Sequence, residues 1–449
     1  MAKTKTTFVC QQCGASYQKW SGRCDNCGEW NSLVEQMSAD LGTKTLTRSM
    51  DKGRELTTFG LAESKIQNEA DRISSGISDL DAVLGGGLLP GGVVLLAGQP
   101  GIGKSTLLTQ IVANTGNDNS VLYVSGEESV SQISSRVARL TKAKAGNLQL
   151  VSSNKAEDIA VTIMSGKYKL VVVDSVQTLS LTEISSAPGS VSQITNSSNI
   201  LIRSAKETST ALILVGHVTK EGSIAGPKVL EHLVDVVLNF EGDRYGGFRT
   251  VRAQKNRYGS TSEMAIFEMF DDGLRIVSNP SASLLAERQS SDGSIVLATV
   301  EGNRPLLVEI QALVNETNFG YPKRTASGFD LNRLNLLIAV LEKRTKLKLS
   351  DKDIYVNVVG GLRIDDPSAD LAVAMAIASA SAGRNLGDDA VVFGEIGLGG
   401  EVRSSSSWGQ RVKEAKKLGF KFAIAPSFHK DPFIRGVSNV RQALVDYLQ

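Results

Sequence analysis

The sequence predicts an α/β protein of several domains, and three observations carry that expectation. Short, nearly continuous apolar runs end at Ala97, Val124, Val173 and Val215, separated by helix-length stretches. Such runs suit a parallel sheet buried on both faces. A glycine-rich loop follows the first of these runs and opens an apolar helical stretch, LLTQIVANT. From residue 291 a second pattern begins with the strands SIVLATVEGNRPLLVEIQALV. It continues with a helix, RLNLLIAVLEKR, whose Leu334, Leu337, Val340 and Leu341 share one stripe.

At 449 residues the chain exceeds what one hydrophobic core holds, so two or three domains are expected. The text divides into a four-cysteine module at 1–35, a polar linker at 36–71 and a first α/β domain at 72–277. A polar break at 278–290 then precedes a second α/β domain at 291–449. Hydrophobic residues at 41% and charged residues at 21% are an ordinary globular balance. The longest apolar runs are strand-length, far below the roughly 20 residues that cross a bilayer, so no membrane partner is expected. The opening MAKTKTTFVC is basic but lacks an apolar core or cleavage site, which predicts no signal peptide and a cytoplasmic location. A net charge of +2 does not describe a surface that grips a polyanion everywhere. Any nucleic-acid contact must come from local patches.

All four cysteines lie in the first section, as Cys10-x2-Cys13, ten further residues, and Cys24-x2-Cys27. Two close pairs on tight turns deliver four thiolates to one tetrahedral Zn²⁺, and four protein ligands leave no open position. The expected centre is therefore structural, with an iron–sulfur cluster as the lesser chemical alternative. Gly14 and Gly28 each follow the second cysteine of a pair, where a turn favours glycine. Lys19, Trp20, Arg23 and Trp30 beside the cysteines suit nucleic acid and a protein partner equally.

Gly98, Gln99, Pro100, Gly101, Ile102, Gly103, Lys104, Ser105 and Thr106 make a P-loop in its strand–loop–helix setting. Its glycines let backbone N–H groups turn towards the phosphates of ATP. Lys104 supplies charge to the β- and γ-phosphate oxygens, and Ser105 offers a hydroxyl to Mg²⁺. Asp174 ends the apolar run Leu170-Val-Val-Val-Asp174, at the sheet edge where α/β proteins bind ligands, and is the expected Walker B residue. Between the two lies VLYVSGEES, which sets Glu127 and Glu128 at the end of another strand. Adjacent acids point apart, so one is read as the base that prepares the attacking water, and Glu127 is preferred.

With these residues in place the chain resembles the RecA/DnaB superfamily of ring and filament ATPases. In detail it resembles the RadA (Sms) family of bacterial DNA-repair proteins. The likeness rests on the order of the four-cysteine module, the P-loop, the segment Lys255-Asn-Arg-Tyr-Gly259 and a C-terminal domain like that of Lon proteases. The family's KNRFG motif matches KNRYG here, with Tyr258 in place of Phe. The resemblance implies a RecA-like core, a zinc ribbon-like module and a Lon-protease-like α/β domain. It implies a DNA-dependent ATPase that drives branch migration in recombination, as a hexameric helicase on single-stranded and branched DNA. The recombinase RecA is an implied protein partner. In such rings Lys255 and Arg257 reach the γ-phosphate of a neighbouring subunit, from a basic turn expected at a sheet edge. His217 would be a polar sensor, and the loop after it, with Lys220 and Lys228, the central DNA contact.

Asp366-Pro-Ser368-Ala-Asp370 parallels Lon's G-P-S-A-G and aligns Ser368 with the Lon nucleophile. The position of Lon's lysine falls on Gly409 or Gln410, and Lys413 is the first lysine afterwards. A Ser–Lys dyad needs that lysine to accept the serine's proton, so the domain reads as non-proteolytic. Arg333, Lys343, Arg344, Lys346, Lys348 and Arg384 are candidates for a basic face on it. The alternatives are an ATP-dependent Lon-like protease, which needs the absent lysine, and a KaiC-like regulatory ATPase, which does not explain the cysteines.

Overall fold

The computed structural model describes residues 6–10, 16–26, 28–30, 32–37, 72–140, 146–218, 224–225, 229–242, 248–317 and 320–448. A small ribbon comes first, with β1 (Thr6–Cys10), β2 (Ser16–Tyr17) and β3 (Leu33–Met37). Helices and strands then alternate: α1 (Ser78–Val83), β4 (Val93–Gly98), α2 (Lys104–Thr115), β5 (Val121–Ser125), α3 (Val130–Leu140), β6 (Leu148–Ser152), α4 (Ala156–Met164) and β7 (Leu170–Asp174). Next come α5 (Val191–Glu207), β8 (Ala211–Val218), β9 (Ile224–Ala225), α6 (Val229–Leu233), β10 (Val236–Gly242), β11 (Arg249–Asn256), β12 (Met264–Phe270) and β13 (Gly273–Ile276). The last section opens with α7 (Pro280–Leu285), β14 (Ser294–Glu301), β15 (Arg304–Glu316), β16 (Arg324–Ser327), α8 (Leu331–Thr345) and β17 (Lys352–Val358). It closes with α9 (Asp370–Ala382), β18 (Ala390–Val392), β19 (Glu395–Ile396), β20 (Val402–Arg403), α10 (Trp408–Lys417), β21 (Phe422–Pro426), β22 (Ile434–Val437) and α11 (Val440–Tyr447).

The chain divides into two compact units. The first comprises Met1–Ser75, Gly86–Ala97 and Leu108–Val237, and the second Gly76–Gly85, Gly98–Leu107 and Leu238–Gln449.

In the first unit β1 pairs antiparallel with β2 and β3, and Cys10, Cys24 and Leu33 are buried together beside Phe8 and Tyr17. Among the described residues this apolar cluster is small, and domains of this size commonly depend on a metal. The larger sheet of this unit runs β4-β8-β7-β5-β6, in which β5 is parallel to β6 and β7, and β7 is parallel to β8. Every residue of β4 and β5 is buried, as are the first four of β7, which explains their unbroken apolar text. Helices α4 and α5 lay Ile159, Ile163, Ile194 and Leu201 onto that sheet. Each such side chain contributes about 1.5–3 kcal/mol by leaving water. The register sets Ser125 of β5 opposite Asp174 of β7, so the carboxyl ends of two neighbouring strands finish side by side.

In the second unit β11, β12 and β13 form an antiparallel run, and β11 lies between β12 and β10. A further sheet has the order β16-β17-β15-β14-β18-β21-β22 among the described residues. Its β14–β15 hairpin was legible as alternating text, yet β14 is buried almost throughout because α9 and α10 both pack on it. The stripe on α8 holds: Leu334, Leu337, Val340 and Leu341 are buried, with Ile338. Helix α9 is buried on all sides from Asp370 to Ser379, which its alanine-rich sequence permits. Within the stretch read as a polar break, α7 forms because Asn279 caps its first turn and Pro280 fits there. Among the described residues no helix is long and apolar enough to cross a membrane.

Candidate functional site

The P-loop leaves the end of β4 and runs into α2, whose first residue is Lys104. Gly103 has φ +114°, a conformation that side chains rarely adopt, so the backbone itself calls for glycine there. Ile102 is buried and anchors the loop, whereas Gln99, Pro100 and Gly101 are exposed. Lys104 is 5% exposed, and its Nζ donates to the carbonyls of Gly98 (2.8 Å) and Gln99 (3.0 Å). Ser105 and Thr106 follow in the first turn of α2, half-buried. Helical N–H groups at that end attract anions.

The acidic residues assemble where β5 and β7 end. Tyr123 is fully buried on β5, and its hydroxyl donates to Asp174 Oδ2 at 2.7 Å. Burial, and then the neighbouring Asp174 charge, push the phenol far above its ordinary value, so it remains a donor. Ser175 is also buried, and its Oγ donates to Glu127 Oε1 at 2.7 Å. Ser125 Oγ accepts from the backbone N–H groups of Glu127 (3.2 Å) and Glu128 (2.9 Å). Glu128 forms an ion pair with Arg136 of α3. The two adjacent acids thus point apart: Glu127 turns to Ser175, which follows β7, and Glu128 to a helix. Gly126 between Ser125 and Glu127 is required by packing, because a Cβ would collide with the Thr178 hydroxyl. Tyr123, Ser175 and Arg136 were not singled out from the sequence. The signal was there for one of them, a hydroxyl-bearing residue inside the apolar run VLYVS.

Lys255 is half-buried as the last residue but one of β11, and Arg257 is exposed in the turn beyond it. The expected sheet edge is corrected here, since β11 has strands on both sides. The turn lies at the end of the strand. Asn256 pins it, donating to Val83 O (3.1 Å) while its Oδ1 accepts from Tyr258 N (2.9 Å). Gly259 lies so close to Gly85 that a Cβ would stand 2.9 Å from its Cα. His217 lies on β8 opposite Ala225, but its side chain, like Lys220 and Lys228, is outside the described residues.

In the ribbon Cys10 and Cys24 are each 1% exposed, while Cys13 and Cys27 are outside the described residues. Cys10 Sγ lies 3.3 Å from Ser32 Oγ, and Cys24 Sγ lies 3.4 Å from Tyr17 OH. The Cys24 carbonyl accepts from Gly28 N at 2.8 Å, closing a tight turn, and Gly28 has φ +74° as the spacing required. Two buried thiols, one of them on a tight turn, with two more in sequence beside them, are a donor set that fits tetrahedral zinc.

The C-terminal domain replaces a dyad with ion pairs. Ser368 is 3% exposed in a short 3₁₀ turn capped by Asp366, whose Oδ1 accepts from Ser368 N. Asp366 Oδ2 accepts from Arg411 Nη1 (2.7 Å) and Thr299 Oγ1 (2.9 Å). Arg411 is buried on α10 and also donates to Ala298 O at 2.7 Å. Burial, the largest single influence, would raise the Asp366 carboxyl, but Arg411 together with the hydrogen bonds from Ser368 N and Thr299 holds it below the ordinary value. Lys413, one half-turn on, is exposed. Arg333 is corrected as a member of an open basic face, because it is spent on the buried Asp370. Lys343, Arg344, Lys346, Lys348 and Arg384 are exposed.

Comparison with known proteins matches each part. A family described as AAA domain matches residues 62–223, and one described as rubredoxin metal binding domain matches 8–35. One described as subunit ChlI of Mg-chelatase matches 334–428. The fold is thus a RecA-like P-loop core with a zinc ribbon-like module before it and a Lon-like domain after it. The chain is 48% identical to the DNA repair protein RadA of Brucella abortus (strain 2308), over 95% of this chain and 93% of that one. It is 46% identical to the DNA repair protein RadA of Bacillus subtilis (strain 168), over 99% of both. A solved RadB recombinase aligns with 46% of this chain and all of its own at 21% identity and a TM-score of 0.37, too loose a fit to bear on function. At these identities over nearly the full length of both chains, the protein belongs to the RadA family of DNA repair proteins.

Proposed function

We propose that the chain is a DNA-dependent ATPase and helicase that drives branch migration in homologous recombination and DNA repair. It works as a homo-hexameric ring on single-stranded and branched DNA, alongside the recombinase RecA. Residues 72–277 form the motor and 291–449 a non-proteolytic scaffold. The observation that carries the reading is the buried Lys104 amine, held on two loop carbonyls at the first turn of α2, in a chain whose relatives are named DNA repair proteins.

As ATP enters, the Lys104 amine leaves the Gly98 and Gln99 carbonyls for phosphate oxygens, and the N–H groups at the start of α2 turn onto the same anion. Ser105 and Asp174 would hold Mg²⁺, which draws off charge developing on the phosphates. Glu127 orients the attacking water and takes its proton. Lys255 and Arg257 reach the phosphate bound by a neighbouring subunit and stabilise the transition state. His217 and the loop with Lys220 and Lys228 pass the phosphate state to the DNA. Cys10, Cys13, Cys24 and Cys27 would hold Zn²⁺, which crosslinks a module with little apolar core.

The test is ATP hydrolysis with and without single-stranded DNA, together with unwinding of a forked duplex, beside a Lys104→Ala control. DNA-stimulated hydrolysis and unwinding, both lost in Lys104→Ala, are expected. Hydrolysis indifferent to DNA and without unwinding would favour a regulatory ATPase. Casein cleavage lost on Ser368→Ala would make the C-terminal domain a protease.

A further inference from the structure

Two hydrogen bonds join the ends of β5 and β7 crosswise. The Tyr123 hydroxyl of the first strand reaches Asp174 on the second, 51 residues on, at 2.7 Å. The Ser175 hydroxyl, next to Asp174, reaches back to Glu127 at 2.7 Å. Neither donor has a reason to be polar for folding alone. Tyr123 and Ser175 are both fully buried against an apolar layer, where phenylalanine and alanine would fill nearly the same space without a hydroxyl to satisfy. Around them Ser125 fixes the N–H groups of both glutamates, and Arg136 draws Glu128 aside, leaving Glu127 as the acid turned to Ser175.

We infer that Tyr123 and Ser175 are positioning residues with separate tasks. Tyr123 sets the Asp174 carboxylate for magnesium, and Ser175 sets the Glu127 carboxylate for water. The inference rests on the ATPase reading above. It follows from the direction of each bond. A phenol donating to Oδ2 of Asp174 fixes the rotamer, and with it the placing of the carboxylate that magnesium would meet. Outer partners of this kind typically carry 10–100-fold in metal affinity. A serine donating to Oε1 of Glu127 likewise fixes the remaining oxygen, and misplacing a base by a fraction of an ångström costs rate without weakening substrate binding. The two substitutions therefore separate: one moves the magnesium requirement, the other the turnover.

The experiment measures hydrolysis of ATP across a MgCl₂ series for wild type, Tyr123→Phe, Ser175→Ala and Lys104→Ala, with binding of a fluorescent ATP analogue in EDTA as a check on the folded site. Tyr123→Phe keeps the ring and should need roughly tenfold more Mg²⁺ for half-maximal rate, with analogue binding in EDTA unchanged. Ser175→Ala should keep the wild-type Mg²⁺ requirement and KM for ATP while kcat falls roughly tenfold. On an Asp174→Asn background, Tyr123→Phe should have little further effect. A merely structural role for either residue would lower the melting temperature and leave these dependences where they were. Wild-type Mg²⁺ dependence in Tyr123→Phe, or its unfolding, overturns the part assigned to Tyr123. Wild-type kcat in Ser175→Ala overturns the other part. Absence of Mg²⁺-dependent hydrolysis in the wild type, or its survival in Lys104→Ala, would instead sink the ATPase reading itself.

Discussion

Replacing Arg411 by methionine should cost the C-terminal domain about 3–5 kcal/mol at pH 8, the range for removing one partner of a buried ion pair. Arg411 is 1% exposed and Asp366 9% by side chain, so neither charge can turn to water. The arginine donates to Asp366, Ala298 and Ser406, while methionine fills the volume and donates to nothing. Asp366 would keep only Thr299 and two backbone N–H groups. The sign of the pH dependence then reverses. In the wild type Asp366 lies below its ordinary 3.8, so its contribution is present above that pH and is lost as acid protonates it. Without Arg411, burial raises the carboxyl, the folded state binds a proton more tightly than the unfolded one, and the deficit grows as pH rises through the new value. Urea unfolding followed by Trp408 fluorescence reads this locally, because Trp408 stacks on His429 at 5.1 Å beside Arg411. Trp20 and Trp30 are first changed to phenylalanine so that Trp408 reports alone. A deficit below about 1 kcal/mol at pH 8 would place the pair in the class of weak surface bridges and refute the reasoning. So would a deficit that neither acid nor an added Asp366→Asn reduces.

Glu301, pushed up to about 7 by burial against the opposing pull of Arg252, makes a second pH test. Glu301 should by itself lower stability by about 3 kcal/mol as pH rises from 4.5 to 7, read as the difference in slope between wild type and Glu301→Gln; equal slopes in melts of the two proteins would refute it. Purified protein should hold one zinc per chain, and Cys24→Ser should release it with damage confined to 1–35; a metal assay finding none, or finding iron, contradicts this. Arg257→Ala should lose DNA-stimulated hydrolysis yet bind nucleotide, and mixing it with Lys104→Ala should restore part of the activity. An arginine acting across subunits is worth on the order of 10³–10⁵ in rate. Activity that never exceeds the sum of the two mutants, under demonstrated subunit exchange, would argue against that role.

The P-loop was legible in the text because its chemistry is local. Nine consecutive residues carry the turn, the lysine and the helix start, and Gly103 holds the positive φ that only glycine accepts without strain. The cysteine pairs and the apolar runs of β4, β5 and β7 are local in the same sense, since spacing and burial repeat along the chain. Pairings between distant residues were not legible. Nothing near Asp366 in sequence announces Arg411, 45 residues later, nor does Lys255-Asn-Arg-Tyr-Gly259 announce Val83, to which Asn256 is bound across 173 residues. The basic turn was expected at a sheet edge, yet the neighbours of β11 are set by strand order, which no single strand's text contains. Tyr123 shows in the text as a hydroxyl inside an apolar run, but only the parallel register of β5 and β7, which sets Ser125 opposite Asp174, decides that it meets that carboxylate. Residue types fix which groups can donate and accept, whereas register and packing, decided by the whole core at once, choose which of them meet.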